Sequence, residues 1–333
     1  MFRILEVPDL HLYDKEIGSS INYPEQSIKI LDDIIDIYRN GDYDVVILGG
    51  DVQHGKLEKI KYISEFQRKL SLLGSLVKER LQDKNIKMSL YDMNDNLIDN
   101  SDYVSWLISV RGQHDNGRED FTFFDMLLEN KILLNPRYII IENTQINIIN
   151  YCNRIEDLIE HKRDRVENVI GVYHNAILEN GVFLDDIIGK TISPSKNLLF
   201  KETDLAIIND IHAQVNPYDV ITDGHKTLVI TPGSLGRTSF NKSNNRDSGN
   251  LVSVKVDNTD IQVGVIKLDL IPAKQFFSEK AIERKIKENA FKNFFITLQN
   301  LEISYFDIKQ EIMKEVSDPV IRDLAIKIVE DVE

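Results

Sequence analysis

Cysteine is almost missing: Cys152 stands alone, so an internal disulfide is excluded and no thiolate cluster is available for zinc or iron–sulfur chemistry. That scarcity reads as a reducing, cytoplasmic setting. No apolar run approaches the roughly 20 residues needed to cross a bilayer, so no membrane partner is expected. The opening MFRILEVPDL lacks the basic region and sustained apolar stretch of a signal peptide. Positive charge is also short, with 40 basic residues against 54 acidic ones and a net charge of −14. A module that grips nucleic acid by bulk charge would be basic. Any contact with a polyanion must therefore use a local patch, bound cations or a partner subunit. Divalent cations invert the field inside a site, so the acidity counts little against a metalloenzyme.

What is present is an ordinary globular composition, 42% hydrophobic and 28% charged over 333 residues, enough for a large core and a small appendage. Phe2–Val7 reads as a strand, and Ile28, Leu31, Ile35 and Tyr38 recur at helical spacing across residues 25–39. The run Val45, Val46, Ile47, Leu48 suits a strand buried on both faces. A longer helix comes next, carrying Ile60, Ile63, Leu70, Leu73 and Val77 on one stripe. Such alternation indicates an α/β architecture. The polar stretch 83–103 reads as an inserted hairpin turning at Asn94-Asp95-Asn96. Further strands are expected at Trp106–Val110, Tyr138–Glu142, Val169–Tyr173, Leu205–Ile208, Leu228–Thr231, Leu251–Val256 and Ile261–Leu268. Beyond Pro272 the chain turns to charged helices, the last with an apolar face of Val320, Ile321, Leu324, Ala325, Ile328 and Val329. Residues 1–271 and 272–333 are the expected domains.

The residues with chemical potential cluster just past the strand ends. Asp9-Leu10-His11 comes after the first strand, and Gly49-Gly50-Asp51-Val52-Gln53-His54 after the second. Gly112-Gln113-His114-Asp115, His174-Asn175 and Asn209-Asp210-Ile211-His212 succeed three others. Residues just past the carboxyl ends of strands in an α/β sheet converge on one edge. Each cluster alone is weak, because Gly-Asp after a strand is usually a turn and a lone histidine is usually a satisfied one. Yet five of the seven histidines occupy these positions. Only His161 and His225 fall outside, and both read as surface residues. Mixed carboxylate and imidazole donors suit manganese, iron or zinc, and a shared carboxylate suits a pair of ions.

In this order the clusters resemble those of the calcineurin-like metallophosphoesterases. His54, three residues past Asp51, and the run Thr231-Pro232-Gly233-Ser234-Leu235-Gly236-Arg237-Thr238-Ser239-Phe240 narrow the resemblance to SbcD-type DNA repair nucleases. That branch includes the meiotic-recombination nuclease and phage recombination nucleases. The resemblance spans about residues 1–270 and implies a β-sandwich flanked by helices (αββα) with a small C-terminal helical cap. It implies two divalent ions, manganese or alternatively magnesium. Asp9, His11, Asp51 and His212 would hold the first, and Asp51, Gln113, His174 and Asp210 the second. Gln113 and Asp210 depart from the family pattern, which has Asn and His there. His114 would act as the acid at the leaving oxygen, with His54 orienting it and the phosphate. Arg237, Lys242 and Arg246 are candidate contacts to DNA phosphates, with a solvated loop as the plainer reading.

The implied activity is a DNA nuclease, exonucleolytic on duplex ends and endonucleolytic on single strands. It would be a homodimeric subunit working with an SbcC-like coiled-coil ATPase in repair and recombination. Two alternatives stay open: a small-molecule or protein phosphoesterase of the same superfamily, and a metal-impaired scaffold that binds DNA ends or a partner.

Overall fold

The computed structural model describes residues 1–17, 20–117, 121–152, 154, 158, 166–179, 191–238, 246–280, 282–284, 287, 309–310, 312–314, 319, 322–323 and 325–327. The chain divides into two units, Met1–Phe276 and Phe277–Glu333. In the second, the described residues at 282–284, 312–314 and 325–327 are helical, and Ile312 and Ala325 are buried. The rest of the expected C-terminal apolar face, Val320, Ile321, Leu324, Ile328 and Val329, lies outside the described residues, as does Lys242. No helix among the described residues is long and apolar enough to cross a membrane.

The first unit runs β1 (Phe2–Val7), α1 (Tyr23–Asn40), β2 (Val45–Leu48), α2 (Ile60–Asp83), β3 (Met88–Tyr91), β4 (Leu107–Ser109), α3 (Phe123–Glu129) and β5 (Leu133–Leu134). It continues through β6 (Tyr138–Ile141), β7 (Thr144–Ile149), β8 (Asn168–His174), β9 (Leu205–Asn209), β10 (Val215–Thr222), β11 (His225–Thr231), β12 (Ser248–Asp257), β13 (Asp260–Asp269) and α4 (Ala273–Phe276). The strands form two sheets, ordered β13-β12-β1-β2-β4-β5 and β10-β11-β9-β8-β7-β6-β3. The result is the mixed α/β sandwich with flanking helices that the resemblance implies, in place of a single open sheet.

Period-2 alternation explains why the sheets stack. On β8 and β9, Ile170, Val172, Leu205 and Ile207 join one core shared with β1, β2 and β4, whereas Tyr173, Ala206 and Ile208 turn to a second cluster with Leu199 and Phe200. The first sheet is covered on its outer face by α1, through Ile30, Leu31, Ile34 and Ile35, and by α2, through Phe66, Leu70, Leu73 and Val77. Being apolar on both faces, β1 and β2 carry the continuous hydrophobic runs visible in the sequence. Each such side chain, fully buried, contributes about 1.5–3 kcal/mol.

The expected hairpin at 83–103 is only partly one. The chain does turn at Asp92–Asn96, where Asp92 Oδ1 accepts from the N–H groups of Asn94 and Asn96, each at 2.8 Å. Its first arm, β3, pairs with β6 and forms an edge of the second sheet. Most important for function, β1, β2 and β4 run parallel in one sheet, and β8 and β9 run parallel in the other. Five carboxyl ends bearing Asp and His therefore meet at one rim of the sandwich.

Candidate metal centre

Backbone shape turns the rim residues inward. His11, Asp51 and Asp210 adopt left-handed conformations, with φ of 46°, 42° and 78°. Non-glycine residues in that region each cost on the order of 1–3 kcal/mol and concentrate at functional sites. Gly50, with φ of 106°, lets the chain pass His174 so closely that a Cβ there would lie 2.3 Å from its Nδ1. Two backbone bonds, His11 N–H to Asp51 O at 2.8 Å and Leu12 N–H to Val52 O at 2.9 Å, hold the loops after β1 and β2 side by side.

Among the described residues the side chains form two donor groups that contain carboxylates, beside a third of imidazoles alone, His11, His54 and His114. Asp9, His11 and His212 make one, and Asp51, His174 and Asp210 the other, each with ligand atoms within 4.8 Å of one another. His11 Nε2 and His212 Nε2 face each other at 3.2 Å. Asp51 joins the groups. Its Oδ1 accepts the His114 backbone N–H at 2.7 Å, leaving Oδ2 at 3.8 Å from His11 Nε2 and 3.3 Å from His174 Nε2. One carboxylate oxygen thus lies between the two groups.

Electrostatics argue for a cation. Burial, with added repulsion from Asp51 and Asp210 outweighing the attraction of His174, holds Asp9 up at about 7. Burial also raises Asp210, helped by the charge of Asp51. For His174, burial pushes downward, yet the carboxylates of Asp51 and Asp9 outweigh it and raise the imidazole well above its usual range. Burial drives His11 well down and His212 to about 4, so both favour the neutral form that ligates metals. His174 Nδ1 lies 2.9 Å from the Gly49 carbonyl and must donate to it, which directs Nε2 into the site. Asp9 Oδ1 is buried without a hydrogen-bond partner among the described residues, and His174 Nε2 faces the carboxylates of Asp51 and Asp210 at 3.3 and 3.9 Å. Buried polar atoms are normally paired, and oxygen with imidazole donors is a set that divalent transition metals take. The residues fit the implied ions.

The expected site residues are not all equal here. Asp9, His11, Asp51, His174, Asp210 and His212 come together. Gln113 does not share their burial: its side chain is exposed and lines a cleft beside them. His54 and His114 stack with ring centroids 4.8 Å apart, on the His11 side of the cluster. His114 Nδ1 is 2.7 Å from the His54 carbonyl and must donate to it, so Nε2 is the atom free for chemistry. His54 Nδ1 lies 3.4 Å from His11 Nδ1. Burial, then the proximity of His114, takes the His54 imidazole down to about 4, so it is neutral near pH 7.

The arginines require a correction. Arg237 is fully buried and cannot touch a DNA backbone: its guanidinium donates to Arg246 O and Gln26 and stacks 4.2 Å over the Phe276 ring. Arg246 also points inward, with Nη1 donating to the His212 carbonyl at 3.1 Å and with Nε and Nη2 buried. It braces His212 from behind the site. At Arg237 and Arg246 themselves, packing overrides the solvated loop that the sequence suggests.

Three residues carry more weight than their sequence context signals. Buried Asp115 accepts the N–H groups of Gly112 at 2.9 Å, Gln53 at 3.1 Å and Val52 at 3.3 Å, locking the loops after β2 and β4 together. Gln53 completes the lock, accepting from Phe123 N and donating to His114 O. Both sit inside the motifs that flag their neighbours. Glu6, on β1, is buried, and burial together with the Asp9 charge pushes its carboxyl well above the usual range. Nothing in the sequence separates it from an ordinary strand carboxylate.

No protein-family model matches this chain, and no curated protein matches it. Among solved structures, the 5'-nucleotidase precursor from Thermus thermophilus aligns with 81% of this chain at a TM-score of 0.40 and 11% identity. The chain spans about half of that protein, 54% of its length. A likeness of this size fixes neither family nor activity, and the chemistry has to come from the residues of the rim itself.

Proposed function

We propose that this chain is a two-metal phosphodiesterase acting on DNA, the nuclease subunit of an SbcC/SbcD-type complex. The observation that carries the reading is Asp51 Oδ2, set between His11 and His174 and so between two donor groups. Asp9, His11, Asp51 and His212 would hold one ion, and Asp51, His174 and Asp210 the other. Gln113 would join the second only by swinging its side chain inward. Bound ions supply a lowered water pKa and neutralise charge growing on the phosphoryl oxygens.

The chain's own part is orientation and proton supply. His114, fixed through Nδ1, presents Nε2 to the departing sugar oxygen as general acid. With His11 Nε2 given to an ion, its Nδ1–H would donate to His54 Nδ1, 3.4 Å away, which would leave the His54 hydrogen on Nε2, available to a phosphoryl oxygen. Asp115 keeps both histidine loops in register.

Manganese-dependent digestion of labelled linear duplex, set against turnover of p-nitrophenyl phosphate compounds, tests the substrate. Turnover of the small esters alone would favour the small-molecule reading, and no turnover of either would favour the scaffold. The C-terminal residues beyond Pro272 are proposed to dock on the coiled-coil root of an SbcC-like ATPase, with a homodimer as the working unit. Deletion from Asp318 onward should abolish co-purification of the ATPase and spare manganese-dependent cleavage. Retained co-purification would refute the docking site.

A further inference from the structure

Beside the imidazoles of His54 and His114 opens a cleft of about 840 Å³. Its volume falls within the roughly 300–1,000 Å³ of small-ligand sites. Leu57, Ile63, Phe123 and Met126 give it an apolar floor, and Gln113, Asn116 and Thr122 add polar edges. Phe121 stands at this cleft with 61% of its surface exposed. Single exposed apolar residues are common, but this ring lines a cleft, where its face is open to stack on a flat ligand.

Position decides what the cleft would hold. His114 lines it and is also the group assigned to the leaving oxygen, so whatever that oxygen carries extends into the cleft. Hydrolysis joins a water oxygen to phosphorus and breaks the bond from phosphorus to the sugar oxygen, which takes up a proton. In DNA the departing sugar bears a base, which is flat, apolar on its faces and rimmed with hydrogen-bonding groups. We infer that the cleft is a subsite for the unpaired base of the leaving nucleotide, with Phe121 as its stacking platform and Gln113 and Asn116 at its edge. The inference rests on the phosphodiesterase reading and adds to it that the substrate strand must be unstacked at the cut, as at a frayed or single-stranded end. An aromatic platform of this kind accepts any base, so the subsite imposes little sequence preference.

The test uses the full chain with manganese and two short single-stranded oligonucleotides, identical except that one carries a tetrahydrofuran abasic residue on the leaving side. The wild type should cleave the base-bearing strand with a kcat/KM about tenfold or more higher, since one base–aromatic stack is worth on the order of 5- to 150-fold. Phe121→Ala should bring that ratio close to one, mainly through KM, and Phe121→Trp should keep it. Circular dichroism on Phe121→Ala guards against misfolding, which its exposed position makes an unfavoured outcome. A wild type indifferent to the base, or a ratio unchanged in Phe121→Ala, overturns the subsite while leaving the phosphodiesterase intact. Absence of manganese-dependent cleavage of both strands by the wild type overturns the phosphodiesterase reading and the subsite with it.

Discussion

His114 serves the rim through two separate parts of the residue. Its backbone N–H fixes Asp51 Oδ1 at 2.7 Å, and its imidazole faces the cleft. His114→Ala keeps the first and deletes the second, so metal binding should be nearly unchanged while cleavage falls by about 10²–10⁴-fold, the usual loss of general-acid help. Metal content and single-turnover rates on the same preparation check this, and equal rates in mutant and wild type would reject the role. The two donor groups invite a second prediction. One has Asp9, His11 and His212 with the shared Asp51, whereas the other has Asp51, His174 and the partly exposed Asp210, with Gln113 turned out. Fewer preset donors bind more weakly, so titration calorimetry with manganese should resolve two unequal sites. Equal filling at the lowest concentration would show that Gln113 does reach in. At this scale the sequence is legible where a motif names the ligand atom itself. It is silent on Gln53 and Asp115, which act through backbone N–H groups, and misleading on Arg237, because burial is a property of the packed fold.

At the scale of elements, α2 shows how closely a helix can be drawn onto a sheet. A Cβ at Gly74 would stand 1.6 Å from Ser105 Oγ, and the Gly74 carbonyl accepts the Trp106 N–H at 3.0 Å. In an open helix Gly→Ala gains about 1 kcal/mol. Here the added methyl has nowhere to go, and Gly74→Ala should destabilise by about 1–3 kcal/mol, the range for overpacking. A lowered denaturant midpoint at constant m-value reports it, and a raised midpoint would contradict the contact. The same contrast explains which elements the sequence announces. The apolar runs of β1 and β2 are unmistakable because both faces are covered. Less visible are β7, whose buried Thr144, Gln145 and Asn147 look like loop, and β10, an edge strand interrupted by Pro217. Helix α3 also escapes the apolar pattern, although Thr122 and Asp125 form the reciprocal cap that marks its start. The pairing of β3 with β6, many residues away, is set by tertiary context that a local pattern does not contain.

Across the whole first unit, two sheets spend their rim on a cluster that is unfavourable by itself. Asp9, Asp51 and Asp210 are drawn together, and burial with mutual repulsion lifts both Asp9 and Asp210 above their ordinary range. A divalent cation held by the folded rim would have no comparable site on the unfolded chain, so its binding free energy would become folding free energy. Manganese at about 100 times its dissociation constant should therefore add on the order of 2.7 kcal/mol for one site. Melting should move up with manganese and back down with a chelator. Asp210→Asn separates this linkage from general stability. The substitution removes a carboxylate whose charged form the fold disfavours, so the metal-free protein should melt no lower than wild type. It also removes a donor from the second group, so the upward shift with manganese should shrink. Calorimetric melts of both proteins, with chelator and across graded manganese, give the four values required. An equal shift in mutant and wild type would mean that Asp210 holds no ion, and the second metal would have to rest on Asp51 and His174 alone.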